Sequence, residues 1–283
     1  MAPDLHHPRP AGDRVTASTA TAPTGTTTDE FVFRATGLVK AFGHVQATRG
    51  VSIELRKGEV LALFGDNGAG KSTLTKLLCG VYAPDSGSIV VDGQEVTMRS
   101  TRDAEALGIT TVHQDLALAP DLTVLENMFL GHEVTRAGFL RVLDRKAMAE
   151  RTSAALDRLS IHLPSLSIAV KDLSGGQRQA VAVARASMWA HAGILMDEPT
   201  AALGTIQSDI VCDLIRSTAN AGIGVMVISH DIPRILSIAD RVVVLRHGQV
   251  ALDRPTGSMD RGDVVAAMVG LSGEDPEDKD DNQ

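Results

Sequence analysis

The stretch Glu59-Val60-Leu61-Ala62-Leu63-Phe64-Gly65-Asp66-Asn67-Gly68-Ala69-Gly70-Lys71-Ser72-Thr73-Leu74-Thr75-Lys76-Leu77-Leu78 decides the fold. Its first six residues form a short apolar run that reads as a buried strand. Gly65 to Ser72 match the phosphate-binding pattern G-x-x-x-x-G-K-[ST], and Ser72 to Leu78 read as a helix start with apolar residues at helical spacing. Glycines let the backbone curl round an anion so that successive N–H groups point inward, and the helix N-terminus adds its partial positive charge. Lys71 then reaches the β- and γ-phosphates, and Ser72 offers a hydroxyl to Mg²⁺. The bland alternative is a Gly-rich turn that binds nothing. Strand, loop, Lys-Ser and helix together favour a nucleoside triphosphate.

Outward from this loop the chain begins with strands. Phe31-Val32-Phe33 and Val51 to Leu55 alternate at period two, and Ser88 to Val91 run into Asp92-Gly93, a hairpin-type turn. From about Thr123 to Trp189 the character changes. Thr123 to Leu130, Arg145 to Leu159 and the Ala-rich Gln177 to Trp189 read as helices. Then Gly193 to Met196 and Val225 to Ile228 return as apolar β-rich runs, typical of parallel strands covered on both faces. Arg241 to Leu245, His247-Gly248 and Gln249 to Leu252 read as a closing hairpin. A helical insertion thus interrupts an α/β core.

The bulk numbers bound the rest. A chain of 283 residues, 43% of them hydrophobic, can bury a substantial core in one domain or two interlocked lobes. A net charge of −8 argues against generic nucleic-acid binding. Cys79 and Cys212, the only cysteines, form neither a disulfide framework nor a metal-ligand spacing, and read as small core residues. No apolar run approaches the roughly 20 residues needed to cross a bilayer, and the N-terminus has no apolar signal region. Residues 1–29 and 273–283 read as disordered tails, the second acidic, with the globular part at 30–272. His6-His7 is too short to argue metal binding.

Two further constellations carry chemistry. Ile194-Leu195-Met196 is an apolar strand ending in Asp197-Glu198. In a phosphate-loop enzyme Asp197 holds Mg²⁺ opposite Ser72, and Glu198 orients or deprotonates the attacking water. Leu173-Ser174-Gly175-Gly176-Gln177 opens the Ala-rich helix, where Ser174 is either an ordinary N-cap or part of a second anion site.

The phosphate loop, Leu-Ser-Gly-Gly-Gln and the Asp197-Glu198 pair occur in the order of the ATP-binding cassette (ABC) ATPases, which the chain resembles from about Phe31 to Leu271. The resemblance implies an α/β fold of the P-loop NTPase type. Its RecA-like core carries an antiparallel β subdomain and an α-helical subdomain inserted at about 116–189. It implies ATP and Mg²⁺ as ligands. The nucleotide would meet Gly65, Asp66, Asn67, Gly68, Ala69, Gly70, Lys71, Ser72 and Thr73, and the signature residues Ser174, Gly175, Gly176 and Gln177. Ser72, Gln114 and Asp197 would meet the metal. Gln114, in Val112-His113-Gln114-Asp115, matches the glutamine loop that contacts Mg²⁺ and the attacking water. His230, in Ile228-Ser229-His230-Asp231, matches the switch histidine at the γ-phosphate. Phe42 stands where the family has an aromatic stacked on adenine, with a core role as the alternative. The catalytic set so implied is Glu198, His230, Gln114 and Lys71.

One departure refines the resemblance. After Asp197-Glu198-Pro199-Thr200 the usual Ser-Ala-Leu-Asp is here Ala201-Ala202-Leu203-Gly204, and Gly204 supplies no carboxylate for linking two nucleotide sites. This variant, the Gly-Asp-Asn-Gly-Ala-Gly-Lys-Ser-Thr loop and the segment Glu133 to Met148, with Gly138-Phe139-Leu140, resemble ATPases of bacterial monosaccharide importers of the ribose, xylose and fructose types. The chain holds a single cassette, so the resemblance implies a head-to-tail pair of copies and membrane-spanning permease subunits. It also implies a solute-binding protein acting indirectly, no nucleic acid, and a place on the cytoplasmic face of the membrane. Docking would fall near Gln114 to Leu122, where Leu116, Leu118 and Leu122 read equally as contact or core. An ATPase of an exporter or amino-acid importer, or a soluble ABC ATPase acting on ribosomes or DNA, is the rival reading.

Overall fold

The computed structural model describes residues 30–136, 142–201 and 203–271. Both tails, His6-His7, Gly138-Phe139-Leu140 and Ala202 lie outside the described residues. The phosphate-loop strand β3 (Val60–Gly65) sits at the middle of a six-stranded sheet. Its neighbours are β8 (Gly224–Ile228) and β9 (Arg241–Arg246), both parallel to it. Beyond β8 come β7 (Gly193–Asp197) and β6 (Ile109–Val112), also parallel, and β10 (Gln249–Pro255) closes the other edge antiparallel to β9. A second, antiparallel sheet has the order β2 (Val45–Arg56), β1 (Phe31–Phe42), β4 (Ser86–Val91), β5 (Gln94–Val96).

The alternation of β3 explains why the sheet is covered on both faces. Leu61 and Leu63 point into one core with α1 (Lys71–Leu78) and the inner faces of β1 and β2, while Val60, Ala62 and Phe64 point into the other. That second core is filled by α3 (Val124–Phe129), α4 (Arg145–Arg158), α5 (Gly175–Trp189), α6 (Thr205–Asn220) and α8 (Arg261–Val269). Two short helices complete the fold, α2 (Thr101–Ala106) before β6 and α7 (Ile232–Leu236) after β8. Helices α3 to α5 all lie between the adjacent strands β6 and β7. The expected helical insertion is therefore present in an α/β core. Leu116 and Leu118 are half-buried against that core, which favours packing over docking for both. Cys79 and Cys212 are free and buried.

The parallel strands β3, β7 and β8 end on the same edge of the sheet, with β8 between the other two. Their C-terminal residues lead directly into the phosphate loop, Asp197-Glu198 and Ser229-His230. This edge is where an open α/β sheet presents its site.

Candidate nucleotide site

The phosphate loop is shaped by two glycines that no other residue could replace without displacement. Gly65 has φ 148° and Gly70 φ 105°, and a Cβ at either would overlap a backbone carbonyl, that of Leu245 or of Ala47. The Gly248 N–H donates to the Ala69 carbonyl at 3.0 Å, and the Arg49 N–H donates to that of Gly248 at 2.7 Å. Strand β2 and the turn after β9 thus brace the loop from outside. Asp66, Asn67 and Gly68 are exposed, as are Ser72 and half of Thr73, whereas Ala69 is buried against the core.

Lys71, 7% exposed, turns back into the loop, and Nζ donates to the Gly65 carbonyl at 2.6 Å and that of Asp66 at 3.0 Å. Burial holds its ammonium below the ordinary lysine range, against the pull of Glu198, Asp66 and Asp197. The same four groups therefore share one electrostatic field. Asp197 and Glu198 come from a strand end two positions away in the sheet, so the fold joins what the sequence separates by over a hundred residues.

Glu198 lies just past β7 with φ 51°, a left-handed backbone that a glutamate adopts only where its surroundings hold it. Its N–H donates to the Ile228 carbonyl at 2.9 Å, and its own carbonyl accepts from Ala201 at 3.1 Å, so both sides of the strained residue are fixed. His230 Nε2 stands 3.2 Å from Glu198 Oε1. That oxygen is buried without an aligned hydrogen bond. Burial raises Glu198 above the ordinary carboxylate range, and attraction to His230 opposes the rise. A half-buried carboxylate with a raised pKa and one buried, unsatisfied oxygen beside an imidazole is suited to accept a proton from water. His230 is itself exposed, and behind it Asp231 pairs with Arg234 at 2.9 Å. Arg234 also contacts Asp209 and the Thr205 carbonyl, tying α7 to the start of α6.

Phe42 closes β1 with 45% of its surface exposed, which overturns the alternative of a core aromatic. Gln114 is exposed in the turn after β6. The two residues after Asp115, Leu116 and Ala117, have φ 61° and 46°, and Arg185 of α5 donates to both of their carbonyls, at 3.3 and 2.9 Å. Sequence spacing gives no signal for Arg185, whose partners lie on another element, and of Arg234 it shows only the local pair with Asp231, not the contacts with Asp209 and Thr205.

Ser174 is the N-cap of α5. Its Oγ accepts from the Gln177 N–H at 3.3 Å, and the Gln177 side chain accepts from the Ser174 N–H at 3.0 Å. The cap reading therefore holds. Ser174, Gly176 and Gln177 border a cavity of about 580 Å³ with Leu159 to Leu163 and α6, and no phosphate-loop residue lines it. At Gly204, the N-cap of α6, a Cβ would meet Gln207 Oε1 at 2.6 Å. Gln207 thus takes the space a side chain at 204 would need.

A phosphate loop at the end of a central parallel strand, with an Asp-Glu pair and a histidine at the ends of two neighbouring strands, defines an ATP-hydrolysing P-loop cassette. The chain belongs to the ABC transporter family, whose model matches residues 48–201. It is 45% identical to the xylose/arabinose import ATP-binding protein XylG of Sulfolobus acidocaldarius, over 82% of this chain and 92% of that one. It is 41% identical to the fructose import ATP-binding protein FrcA of Rhizobium meliloti, over 85% of this chain and 95% of that one. The ribose import ATP-binding protein RbsA 2 of Rubrobacter xylanophilus, also 41% identical, is matched over only 46% of its length. Among solved structures, the ADP conformation of an ATP-binding cassette of an ABC transporter is similar with a TM-score of 0.72 and 27% identity, over 85% of this chain and 99% of that one. Among the described residues no helix is long and apolar enough to cross a membrane.

Proposed function

We propose that this chain is the ATPase subunit of a monosaccharide importer and works as a head-to-tail pair on the cytoplasmic face of the membrane. It would be docked on membrane-spanning permease subunits and served by a solute-binding protein. Residues 30–272 form the cassette, with the helical insertion at about 116–189. The observation that carries the catalytic part is the meeting of Glu198 with His230 at 3.2 Å in the field of Lys71. The sugar assignment is supported by relatives named as xylose/arabinose and fructose import proteins that this chain matches over nearly their whole length.

The residues fit a nucleotide with its metal. Gly65 and Gly70 let the loop curl where any Cβ would strike the Leu245 or Ala47 carbonyl, and Lys71 is already directed at two loop carbonyl oxygens. Among the described residues no group of three or more His, Cys, Asp or Glu could hold a metal alone. Ser72, Asp197 and Gln114 offer a hydroxyl, a carboxylate and an amide oxygen, a hard-oxygen set suited to an ion that arrives on phosphate. Held by Ser72, Asp197 and Gln114, Mg²⁺ would supply charge neutralisation for the phosphates. Lys71 exchanges the Gly65 and Asp66 carbonyls for phosphate oxygens, and Phe42 stacks on the base. Glu198 takes a proton from the water that attacks the γ-phosphorus, and His230 faces the same phosphoryl group. Ser174, Gly175 and Gly176 open α5 beside a cavity that no phosphate-loop residue lines, which supports their use by a second copy.

Co-expression with the permease and binding protein encoded beside it, followed by reconstitution in vesicles, tests the reading. Xylose, arabinose, fructose or ribose should stimulate ATP hydrolysis, and amino acids should not. Stimulation by an amino acid alone would replace the sugar assignment.

A further inference from the structure

An aromatic residue at the last position of a strand, nearly half exposed and followed by a two-residue turn, is poorly placed to hold a base in register, because strand ends fray. The neighbourhood of Phe42 counters this with contacts from one short segment, residues 82–85. Asp85 Oδ2 accepts from the Ala41 N–H at 2.7 Å, and Oδ1 accepts from Lys40 Nζ at 2.7 Å. The Asp85 N–H returns to the Val39 carbonyl at 2.8 Å. Three consecutive residues of β1 leading into Phe42 are thus gripped by a single aspartate. Its carboxyl is held below the ordinary range by Lys40 first and the Ala41 N–H second.

Tyr82 completes the brace. Its ring meets that of Phe42 edge to face, with centroids 5.2 Å apart and planes at 65°. Such an arrangement fixes the tilt of the phenylalanine ring, and Lys40 Nζ lies 5.9 Å from that ring's centroid, a cation a bound base would displace or share. Tyr82 is in turn anchored to the exit of α1, since its N–H donates to the Lys76 carbonyl at 3.0 Å and Lys76 Nζ lies 5.5 Å from its ring centroid. Helix α1 begins at Lys71. The aromatic face and the phosphate loop are therefore two ends of one rigid piece, α1 with its exit segment, although Phe42 belongs to a different sheet from the strand that feeds the loop.

We infer that Tyr82 and Asp85 are positioning residues for the nucleotide base: they hold Phe42 at a set distance and tilt from Lys71 and Ser72. This rests on the reading that Phe42 stacks on the base, and the test separates the two. A group that acts only on the base should alter binding of ATP and leave binding of inorganic tripolyphosphate, which has no base, unchanged.

The experiment is calorimetric titration of the full chain with ATP and with tripolyphosphate, both with Mg²⁺, for Phe42→Ala, Tyr82→Leu, Tyr82→Phe and Asp85→Ala. Thermal melts are used to check that each variant folds. Phe42→Ala should weaken ATP about tenfold, the scale of one lost base–aromatic stack. Tyr82→Leu and Asp85→Ala should each weaken it about three- to tenfold through lost pre-organisation. Tyr82→Phe keeps the ring and should bind as the unaltered chain does, and tripolyphosphate affinity should stay constant throughout. If Phe42→Ala weakens ATP while Tyr82→Leu and Asp85→Ala do not, the positioning role is overturned and the stacking role stands. Equal loss for ATP and tripolyphosphate also overturns it, since the effect would then lie in the phosphate loop. An unchanged Phe42→Ala removes the stacking reading and this inference with it.

Discussion

Alanine at Gly70 should dismantle the phosphate loop by an amount that can be worked from its surroundings. Gly70 has φ 105°, where any other residue is strained by about 1 kcal/mol. Its new Cβ would overlap the Ala47 carbonyl oxygen, and β2 would have to retreat by about 1 Å to restore ordinary contact. That retreat loosens the linked bonds from Arg49 to Gly248 and from Gly248 to Ala69, each worth about 1 kcal/mol net. The combined loss is about 3 kcal/mol, or about 6–12 °C in Tm for a chain of this size. Gly68 is the control. Its φ is 83°, but nothing lies within 4 Å of a Cβ there. Alanine at Gly68 should cost only the backbone part, about 1 kcal/mol or about 2–4 °C. Differential scanning calorimetry without nucleotide measures both. If Gly68→Ala falls as far as Gly70→Ala, the close approach of β2 is not what shapes the loop.

The remaining predictions concern the dimer and the protons. Adding Ser174→Arg to Glu198→Gln should abolish the Mg-ATP-dependent dimer that Glu198→Gln alone forms, while the substituted monomer still binds ATP. Light scattering at high protein concentration reads the difference, and equal dimerisation would leave Ser174 as a helix cap only. Because burial raises Glu198, its proton is held more tightly in the folded chain, so its contribution to stability is present at low pH and lost as pH rises through the folded pKa. Glu198→Gln should therefore melt above the unaltered chain at neutral pH, with the gap closing in acid. A lower Tm at neutral pH would contradict the burial argument. As the base must be ionised, kcat/KM for ATP should rise with pH along a limb above the ordinary glutamate range. A limb within that range would assign the proton elsewhere.

What the sequence revealed and what it hid divide along the range of the interactions. The phosphate loop is legible because its glycines, lysine and following helix act on one another within a few residues. Asp92-Gly93 is legible for the same reason, and both residues indeed have positive φ, 48° and 75°. The Ser174–Gln177 capping box is again local. By contrast β1 continues to Phe42, well beyond the alternating Phe31 to Phe33, because bulges in its pairing with β2 carry it through irregular, partly polar sequence. The start of α6 carries no side-chain cap at Gly204. Arg185, Tyr82 and Asp85 act on partners from other elements, as Arg234 does beyond its local pair with Asp231, so no spacing rule reaches those contacts. Glu198 was legible as a carboxylate at a strand end, but its left-handed backbone and its contact with His230 exist only once β8 lies beside β7.

The proposed base for ATP hydrolysis is Glu198, raised by burial and set beside His230. Glu198→Gln keeps the shape of the side chain and removes its ability to accept a proton. Measured on the same preparation by calorimetry and by phosphate release, it should bind Mg-ATP as the unaltered chain does and hydrolyse it roughly 10²–10⁴-fold more slowly. Near-normal turnover with intact binding would contradict the account.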